Sequence, residues 1–298
     1  MPTAVSETWK VDGRSISVSN LDKVLWPDEG YTKRDMLHYY QDMAPIMLPY
    51  LKDRPVTLRV FPKGIESFSH YRRDLPAHAP RWLHRIDYQL ETSERVTQLP
   101  VIEDAAGLIW LANLGSIEFH TWSVRIPHLT TPDQVIFDLD PGDQAAFEQV
   151  RQAVLLLRQN LQTAGIQGYL KTSGGHGLHV YVPLLPEYSF DTVHAWTKTL
   201  AEQLTSAHPD LFALPQGGTH RGGRVTLDYA QNSLARNTAV PYTLRARPGA
   251  PVSTPLTWEE VEAGEFEPRN FTLPIIAERV QQKGDPFRPV LGPGQRLP

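Results

Sequence analysis

The chain contains no cysteine, and this absence excludes several kinds of chemistry. Without cysteine there is no disulfide framework, no thiolate nucleophile and no zinc site built on sulfur ligands. Any bound metal has to use carboxylates or histidines, which favours hard cations. The chain also has no run of eighteen apolar residues, and its first residues, MPTAVSETWK, lack the charged and apolar regions of a signal peptide. We therefore expect a cytoplasmic protein with no membrane partner.

An excess of positive charge is missing too, since 29 lysines and arginines stand against 33 aspartates and glutamates. This balance excludes a purely electrostatic nucleic-acid tail. The charge is nevertheless uneven, because residues 54–85 hold seven basic side chains and two acidic ones. Aromatic side chains lie between them, namely Phe61, Phe68, Tyr71 and Trp82. Cations neutralise phosphates and aromatic rings stack on bases, so this segment is a candidate nucleic-acid surface. A solvated surface with its aromatics in the core is the alternative.

Hydrophobic periodicity predicts a chain that mixes strands and helices. Near the N-terminus, Thr32 is placed to cap a helix that we expect to end at Pro49. Residues 135–140, VIFDLD, have the composition of a buried strand, and residues 145–161 carry apolar side chains at helical spacing. Further strands are expected at residues 169–172, 178–184 and 224–229. From residue 241 onward, short elements are expected to wrap over the core.

Carboxylates end the predicted central strand. Asp138 and Asp140 are two residues apart, so they are expected to point to the same face of the sheet. Two like charges there need a counter-ion, and Asp228 at the end of another predicted strand is the best candidate for a third ligand. Such an oxygen site suits one or two Mg²⁺ or Mn²⁺ ions and favours phosphoryl transfer.

Other interpretations of this carboxylate pair are testable in the sequence. An EF-hand needs glycine at its sixth position and glutamate at its twelfth, but Asp143 and Gln149 occupy them, which excludes it. A structural or loop-capping pair is an alternative. So is a phosphatase with an aspartyl nucleophile, although a proline directly follows the second aspartate here.

A glycine-rich turn connects two of the predicted strands, with the sequence KTSGGHGLH at residues 171–179. Glycines let backbone N–H groups approach phosphate oxygens closely. Ser173 can donate a further hydrogen bond, and His176 and His179 can add charge-assisted ones when protonated. The turn therefore predicts a triphosphate site. A hairpin with a core histidine, or metal ligation by the two histidines, are the alternatives.

Together these segments resemble the polymerase domain of bacterial ligase D, in the archaeo-eukaryotic primase superfamily. The matching motifs are SNLDKVLWP (19–27), IEFH (117–120), FDLDP (137–141), KTSGGHGLH (171–179), DYAQN (228–232), PYTLR (241–245) and PLTWEE (255–260). The resemblance implies an α+β primase-polymerase fold, with a mixed-sheet catalytic core, flanking helices and an N-terminal α/β lobe. It also implies one domain over residues 1–298, with the N-terminal lobe at about 1–130 and the core at about 131–298.

The same resemblance implies a role for each matching residue. Two metal ions would be held by Asp138 and Asp140, with Asp228 on the catalytic ion. The nucleotide would be contacted by His120, Ser173, Gly174, Gly175, His176, His179, Gln231 and Arg245. Asn20, Lys23 and Lys33 would bind a DNA 5′-phosphate, although simple solvation of exposed lysines is the alternative. His70, Tyr71 and Arg73 would lie at the template.

The resemblance finally implies a repair polymerase for non-homologous end joining. We expect extension of primer 3′-ends with NTP or dNTP, preferably ribonucleotides, using two Mn²⁺ or Mg²⁺ ions. The expected partners are DNA with gaps or double-strand breaks that carry a 5′-phosphate, the Ku end-binding protein, and a separate DNA ligase or ligase module. This predicts a nucleoid-associated location in the cytoplasm. A de novo primase and a non-catalytic DNA-end-binding module are the alternatives.

Overall fold

The computed structural model describes residues 6–89, 95–215 and 222–298. No helix in these three ranges is long and apolar enough to cross a membrane. The chain forms two compact units, each assembled from separate segments. The first unit comprises Met1–Thr121, Ala239–Val252 and Thr272–Glu278, and the second comprises Trp122–Thr238, Ser253–Phe271 and Arg279–Pro298.

Helices and strands alternate irregularly along the described residues. The helices are α1 (Lys33–Leu51), α2 (Ala105–Asn113), α3 (Phe147–Thr163), α4 (Phe190–Ala207), α5 (Trp258–Ala263) and α6 (Leu273–Lys283). The first strands are β1 (Ser6–Val11), β2 (Arg14–Ser19), β3 (Val24–Trp26), β4 (Tyr31–Thr32), β5 (Val56–Val60), β6 (His70–Arg72), β7 (Arg85–Gln89), β8 (Val96–Pro100) and β9 (Ser116–Trp122). They are followed by β10 (Gln134–Pro141), β11 (Tyr169–Thr172), β12 (Leu178–Pro183), β13 (Phe212–Ala213), β14 (Val225–Asp228), β15 (Asn237–Ala239) and β16 (Pro255–Leu256).

The second unit contains a six-stranded sheet with the order β13, β14, β10, β12, β11, β16. All neighbours are antiparallel except β13 and β14, which run parallel. On β10, the ring of Phe137 packs edge to face against Trp196 of α4 at 5.8 Å. Side chains alternate along a strand, so Asp138 and Asp140 point to the face opposite to this helix. The predicted strands and helix of this region are confirmed.

The first unit contains the capped helix and its sheet. Thr32 caps α1 as predicted, and its hydroxyl and the Asp35 carboxylate form a capping box. The expected end at Pro49 is wrong, because α1 continues to Leu51. Tyr50 and Leu51 are buried, so packing of the last turn outweighs the hydrogen bond that proline removes. In the sheet, β5 lies between β6 and β9.

Asn232 lies in a short 3-10 turn (Tyr229–Asn232) and forms hydrogen bonds with β10, the central strand of the second unit. Its amide nitrogen donates to the Ile136 carbonyl at 2.8 Å, and its amide oxygen accepts from the Ile136 N–H at 2.8 Å. Asn232 is only 1% exposed. Water therefore cannot replace the side chain as a partner for these two backbone groups.

We expect Asn232→Ala to lower the free energy of unfolding by about 2–4 kcal/mol, because two buried backbone groups lose their partner. Urea denaturation monitored by circular dichroism measures this change. Thr199→Ala is the control, because Thr199 is exposed on α4 and bonds only within its own helix. The control should change stability by no more than about 0.5 kcal/mol. An equal effect of the two substitutions would contradict the role of Asn232.

Candidate active site

The three predicted carboxylates lie on adjacent strands of the second unit. Asp138 of β10 stands directly opposite Asp228 of β14, and Asp140 stands opposite Thr226. Directly paired residues of antiparallel strands point to the same face, and so do residues two apart on one strand. The strand register therefore places all three carboxylates on the face of the sheet opposite to Trp196.

The residues paired across the strands continue from Asp138 onto β12 and β11. His179 of β12 pairs with Asp138, and Lys171 of β11 pairs with His179. The His179 Nε2 lies 3.3 Å from the Asp138 Oδ1, and the Lys171 Nζ lies 3.0 Å from the His179 Nδ1. An ammonium group can only donate, so Nδ1 is the acceptor and the Nε2 proton faces the carboxylate. Lys171 thus determines the tautomer of His179.

Lys171 received no role from the sequence, although it begins the glycine-rich motif. It is fully buried at 0% exposure, where an unpaired ammonium would be very costly. Besides His179, it donates to the Ser253 hydroxyl at 2.6 Å, which in turn donates to the Thr172 carbonyl at 2.8 Å. A lysine inside an apolar strand pattern is the sequence signal that points to such a role.

The glycine-rich turn is organised around Ser173. The Ser173 hydroxyl oxygen accepts from the backbone N–H groups of Gly175 at 3.1 Å and Gly177 at 3.2 Å. These two N–H groups, which we expected to face phosphate, therefore bond inside the turn. Gly174 adopts φ +71°, a left-handed conformation that glycine tolerates without strain. The turn is thus pre-shaped by its own serine.

At the tip of this turn, His176 is exposed and contacts the Arg269 guanidinium. Arginine stays protonated across the physiological range, so it supplies a constant positive charge beside this histidine. Arg269 was missed by the sequence analysis because it lies far along the chain, in a segment without a recognised motif.

The donor chemistry of the carboxylates fits a hard divalent cation, because all three supply oxygen ligands on one sheet face. In the part of the chain that the structure describes, however, no group of three or more metal-binding side chains is arranged to hold an ion. Two of the three carboxylates contact protein groups instead. Asp138 faces His179, while Asp228 accepts from the Ala230 N–H at 2.9 Å and caps the following 3-10 turn. Gln231 lies within that same turn.

In the first unit, the predicted residues His120 and Arg245 meet at a glutamate that was assigned no role. The Glu118 Oε2 lies 3.0 Å from the His120 Nε2 and 3.3 Å from the Arg245 Nε. Glu118 is 1% exposed. Burial alone would raise its pKa, but the charge of Arg245 and the hydrogen bond with His120 outweigh burial and hold the pKa below its ordinary value.

The predicted 5′-phosphate residues also lie in the first unit. The Lys33 Nζ donates to the Ser19 carbonyl at 2.8 Å, and the Lys23 Nζ donates to the Pro62 carbonyl at 3.0 Å. Lys33 is 5% exposed, so the alternative of a solvated lysine is wrong for it. Burial, and then the charge of Lys23, lower the pKa of Lys33 to about 8. Asn20 adopts φ +55° in the loop before Lys23.

The predicted template residues are on and just after β6. Tyr71 is 59% exposed, and its ring contacts His120 edge-on at 5.9 Å. His70 precedes it on the strand, so the two rings point to opposite faces. Phe68, which is 77% exposed, stacks on His70 at 5.9 Å. Arg73 is exposed immediately after the strand.

Gly177 lets the glycine-rich turn approach the end of β10. A Cβ atom at this position would lie 2.5 Å from the Leu139 carbonyl oxygen and 2.6 Å from the Asp140 Oδ1. We expect Gly177→Ala to destabilise the fold by about 1–3 kcal/mol, because the backbone of β10 has to shift. Thermal unfolding measures this loss.

Gly223→Ala is the matched control for this prediction, since its added Cβ would meet only the Gln144 carbonyl oxygen at an ordinary 3.7 Å. We expect the control to unfold close to the native temperature. If Gly177→Ala unfolds at the same temperature as the control, the close approach of turn and strand is not required.

Comparison with known proteins identifies the family. The family model described as "LigD, primase-polymerase domain" matches residues 32–287. The multifunctional non-homologous end joining protein LigD of Mycolicibacterium smegmatis is 32% identical over 277 residues, which cover 92% of this chain and 36% of that protein. The bifunctional non-homologous end joining protein LigD of Bacillus subtilis is 31% identical over 277 residues, which cover 91% of this chain and 43% of that protein.

A solved structure of the polymerase domain from Mycobacterium tuberculosis ligase D in complex with DNA matches with a TM-score of 0.87 and 29% identity. The match covers 94% of this chain and 99% of that one, which confirms the expected α+β primase-polymerase fold. The chain spans well under half the length of the two curated relatives. Because the family model matches most of the chain, this protein belongs to the LigD primase-polymerase domain family.

Proposed function

We propose that the chain is a metal-dependent nucleotidyltransferase that extends the 3′-end of a DNA primer. The single observation that carries this proposal is the strand register that places Asp138, Asp140 and Asp228 on one sheet face. Three carboxylates so placed provide oxygen ligands for the ions that phosphoryl transfer requires. The matched structure from Mycobacterium tuberculosis is a polymerase domain in complex with DNA, which supports the same reaction class.

In the proposed reaction, the primer 3′-hydroxyl oxygen attacks the α-phosphorus of a nucleoside triphosphate. The new P–O bond forms as the bond to pyrophosphate breaks, and the hydroxyl proton passes to solvent. Two Mn²⁺ or Mg²⁺ ions, when bound, activate the hydroxyl and neutralise the leaving pyrophosphate. Asp138 and Asp140 would hold both ions, and Asp228 would hold the catalytic one.

The other proposed contacts with the nucleotide are made by polar and basic side chains and by the turn backbone. In the second unit, the triphosphate is bound by Ser173, Gly174, Gly175, His176 and His179, and Gln231 contacts the nucleotide. The buried Lys171 holds the imidazole of His179 through its Nδ1 atom, which leaves Nε2 as the donor nitrogen. In the first unit, His120 and Arg245 contact the nucleotide.

DNA contacts are proposed for the first unit. Asn20, Lys23 and Lys33 bind the 5′-phosphate, and the buried Lys33 beside Lys23 is the supporting observation. A phosphate beside these two ammonium groups would offset their mutual repulsion and accept charge-assisted hydrogen bonds from them. The template is contacted by His70, Tyr71 and Arg73.

At the level of the cell, we propose gap filling and end processing in non-homologous end joining. Ribonucleotides are preferred over deoxyribonucleotides, and Mn²⁺ over Mg²⁺. The Ku end-binding protein and a DNA ligase, as a separate protein or a linked module, act on the same ends. Residues 1–298 act as a single primase-polymerase domain.

Primer extension tests the proposal. A labelled primer is placed before a short gap with a downstream 5′-phosphate, and ribo- or deoxyribonucleotides are supplied with Mn²⁺ or Mg²⁺. We expect extension by the native chain and a fall of about 10²–10³-fold in Asp138→Ala/Asp140→Ala, because the ligands of both ions are lost. Asp210→Ala, an exposed aspartate after α4, is the control and should extend the primer normally.

The alternatives give different outcomes in the same assay. Dinucleotide products on single-stranded template, without a primer, would indicate a de novo primase. Tight binding of the phosphorylated gap without extension by the native chain would overturn the polymerase proposal and favour a DNA-end-binding module. Unfolding temperatures of all variants show whether lost activity reflects lost structure.

A further inference from the structure

Glu118 is a buried carboxylate with four polar neighbours in the first unit. Its Oε1 accepts from the Ala246 N–H at 3.0 Å and from the Arg59 guanidinium at 3.4 Å. Its Oε2 lies 3.0 Å from the His120 Nε2 and 3.3 Å from the Arg245 Nε. Each carboxylate oxygen of Glu118 therefore contacts one arginine and one further group.

Burial makes the Glu118 charge dependent on the side chains around it. With 1% exposure, Glu118 has almost no water to compensate its charge, so its stability depends on the groups around it. Two guanidinium groups, from Arg59 and Arg245, supply that compensation. A buried charge with satisfied oxygens tolerates little displacement of its partners, because each displacement leaves it less compensated.

The carboxylate also determines which nitrogen of His120 carries a proton. An ionised carboxylate can only accept hydrogen bonds, so His120 has to present its Nε2–H to Glu118. The ring is further limited by Tyr71, which meets it edge-on at 5.9 Å.

The segment that carries Arg245 is held beside β9, the strand of Glu118, by contacts that do not involve Glu118. The Thr243 hydroxyl accepts from the Phe119 N–H at 2.9 Å, and the Tyr40 hydroxyl accepts from the Leu244 N–H at 3.1 Å. The backbone before Arg245 is therefore anchored beside β9. These contacts do not hold the guanidinium of Arg245, and Glu118 lies against that group.

We propose that Glu118 is a positioning residue for nucleotide binding, which holds the imidazole of His120 and the guanidinium of Arg245 in a single arrangement. This inference rests on the proposed function, in which those two side chains contact the nucleotide. Glu118 itself touches no substrate in this proposal. It acts by the orientation and the proton position of its neighbours.

A purely structural ion pair would behave differently. Loss of a structural pair lowers stability and the fraction of folded enzyme, which reduces kcat per total protein and leaves the KM for nucleotide unchanged. Loss of a positioning residue lets His120 and Arg245 adopt several arrangements. The KM for nucleotide then rises in protein that is fully folded.

The first test is decided on the native chain, without a substitution at Glu118. Nitrogen-15 NMR of histidine-labelled native protein, with His120 assigned through His120→Asn, reports which ring nitrogen is protonated. We expect Nε2 to be protonated in the native chain and a mixture of ring protonation states in Glu118→Gln, whose amide can donate as well as accept. A native His120 protonated on Nδ1 alone would overturn the proposal, whether or not any variant folds.

The second test is kinetic. In primer extension, we expect Glu118→Gln to raise the KM for nucleotide about 10-fold, a loss of about 1.4 kcal/mol, with kcat changed less than about 3-fold. Glu118→Asp keeps the charge but shortens the reach, and it should give a smaller rise. Glu103→Gln is the matched control, because Glu103 also contacts a histidine, His84 at 2.9 Å, but is more than half exposed.

The outcomes separate the two proposals. An unchanged KM in folded Glu118→Gln, with His120 still protonated on Nε2, would show that Glu118 is only structural. A rise of equal size in Glu103→Gln would also overturn the inference. If the native chain extends no primer, the proposed function fails instead, and the NMR result still decides whether Glu118 sets the proton position of His120.

Discussion

Strand β10 lies between two antiparallel neighbours, and the candidate site of the second unit depends on the register of those two pairings. Pairing with β14 places Asp138 opposite Asp228, and pairing with β12 places it opposite His179. A slip of one residue would reverse every side chain of the strand. Asp138 would then point to the helix-packed face that Phe137 occupies, and the carboxylates would no longer share a face.

Two buried charges of opposite sign, one in each unit, contact a histidine. Lys171 is buried beside His179, and Glu118 is buried beside His120. In both cases the charged group can act only as donor or only as acceptor, so it determines which imidazole nitrogen carries the proton. Both histidines were predicted as nucleotide contacts, whereas neither charged neighbour was. Desolvation makes such neighbours sensitive to loss of their partners, which is why each has several.

Local patterns in the sequence predicted the elements well where the relevant forces are local. Thr32 was identified as a cap because its hydroxyl bonds within three residues, and the strand around Phe137 was identified by its apolar run. Prediction was poorer where packing competes with local preference. The helix continues past Pro49 because Tyr50 and Leu51 are buried.

The sequence by itself determined the order of the motifs, the spacing of the aspartates and the family that these imply. Tertiary structure alone decided which side chains touch. Glu118 meets the N–H of Ala246 across 128 residues, and Lys171 meets Ser253 across 82. Periodicity reports only on neighbours within a few residues, because it follows the repeat of one helix or strand. Contacts between distant segments arise when the whole core packs, and these contacts set burial, proton position and charge pairing.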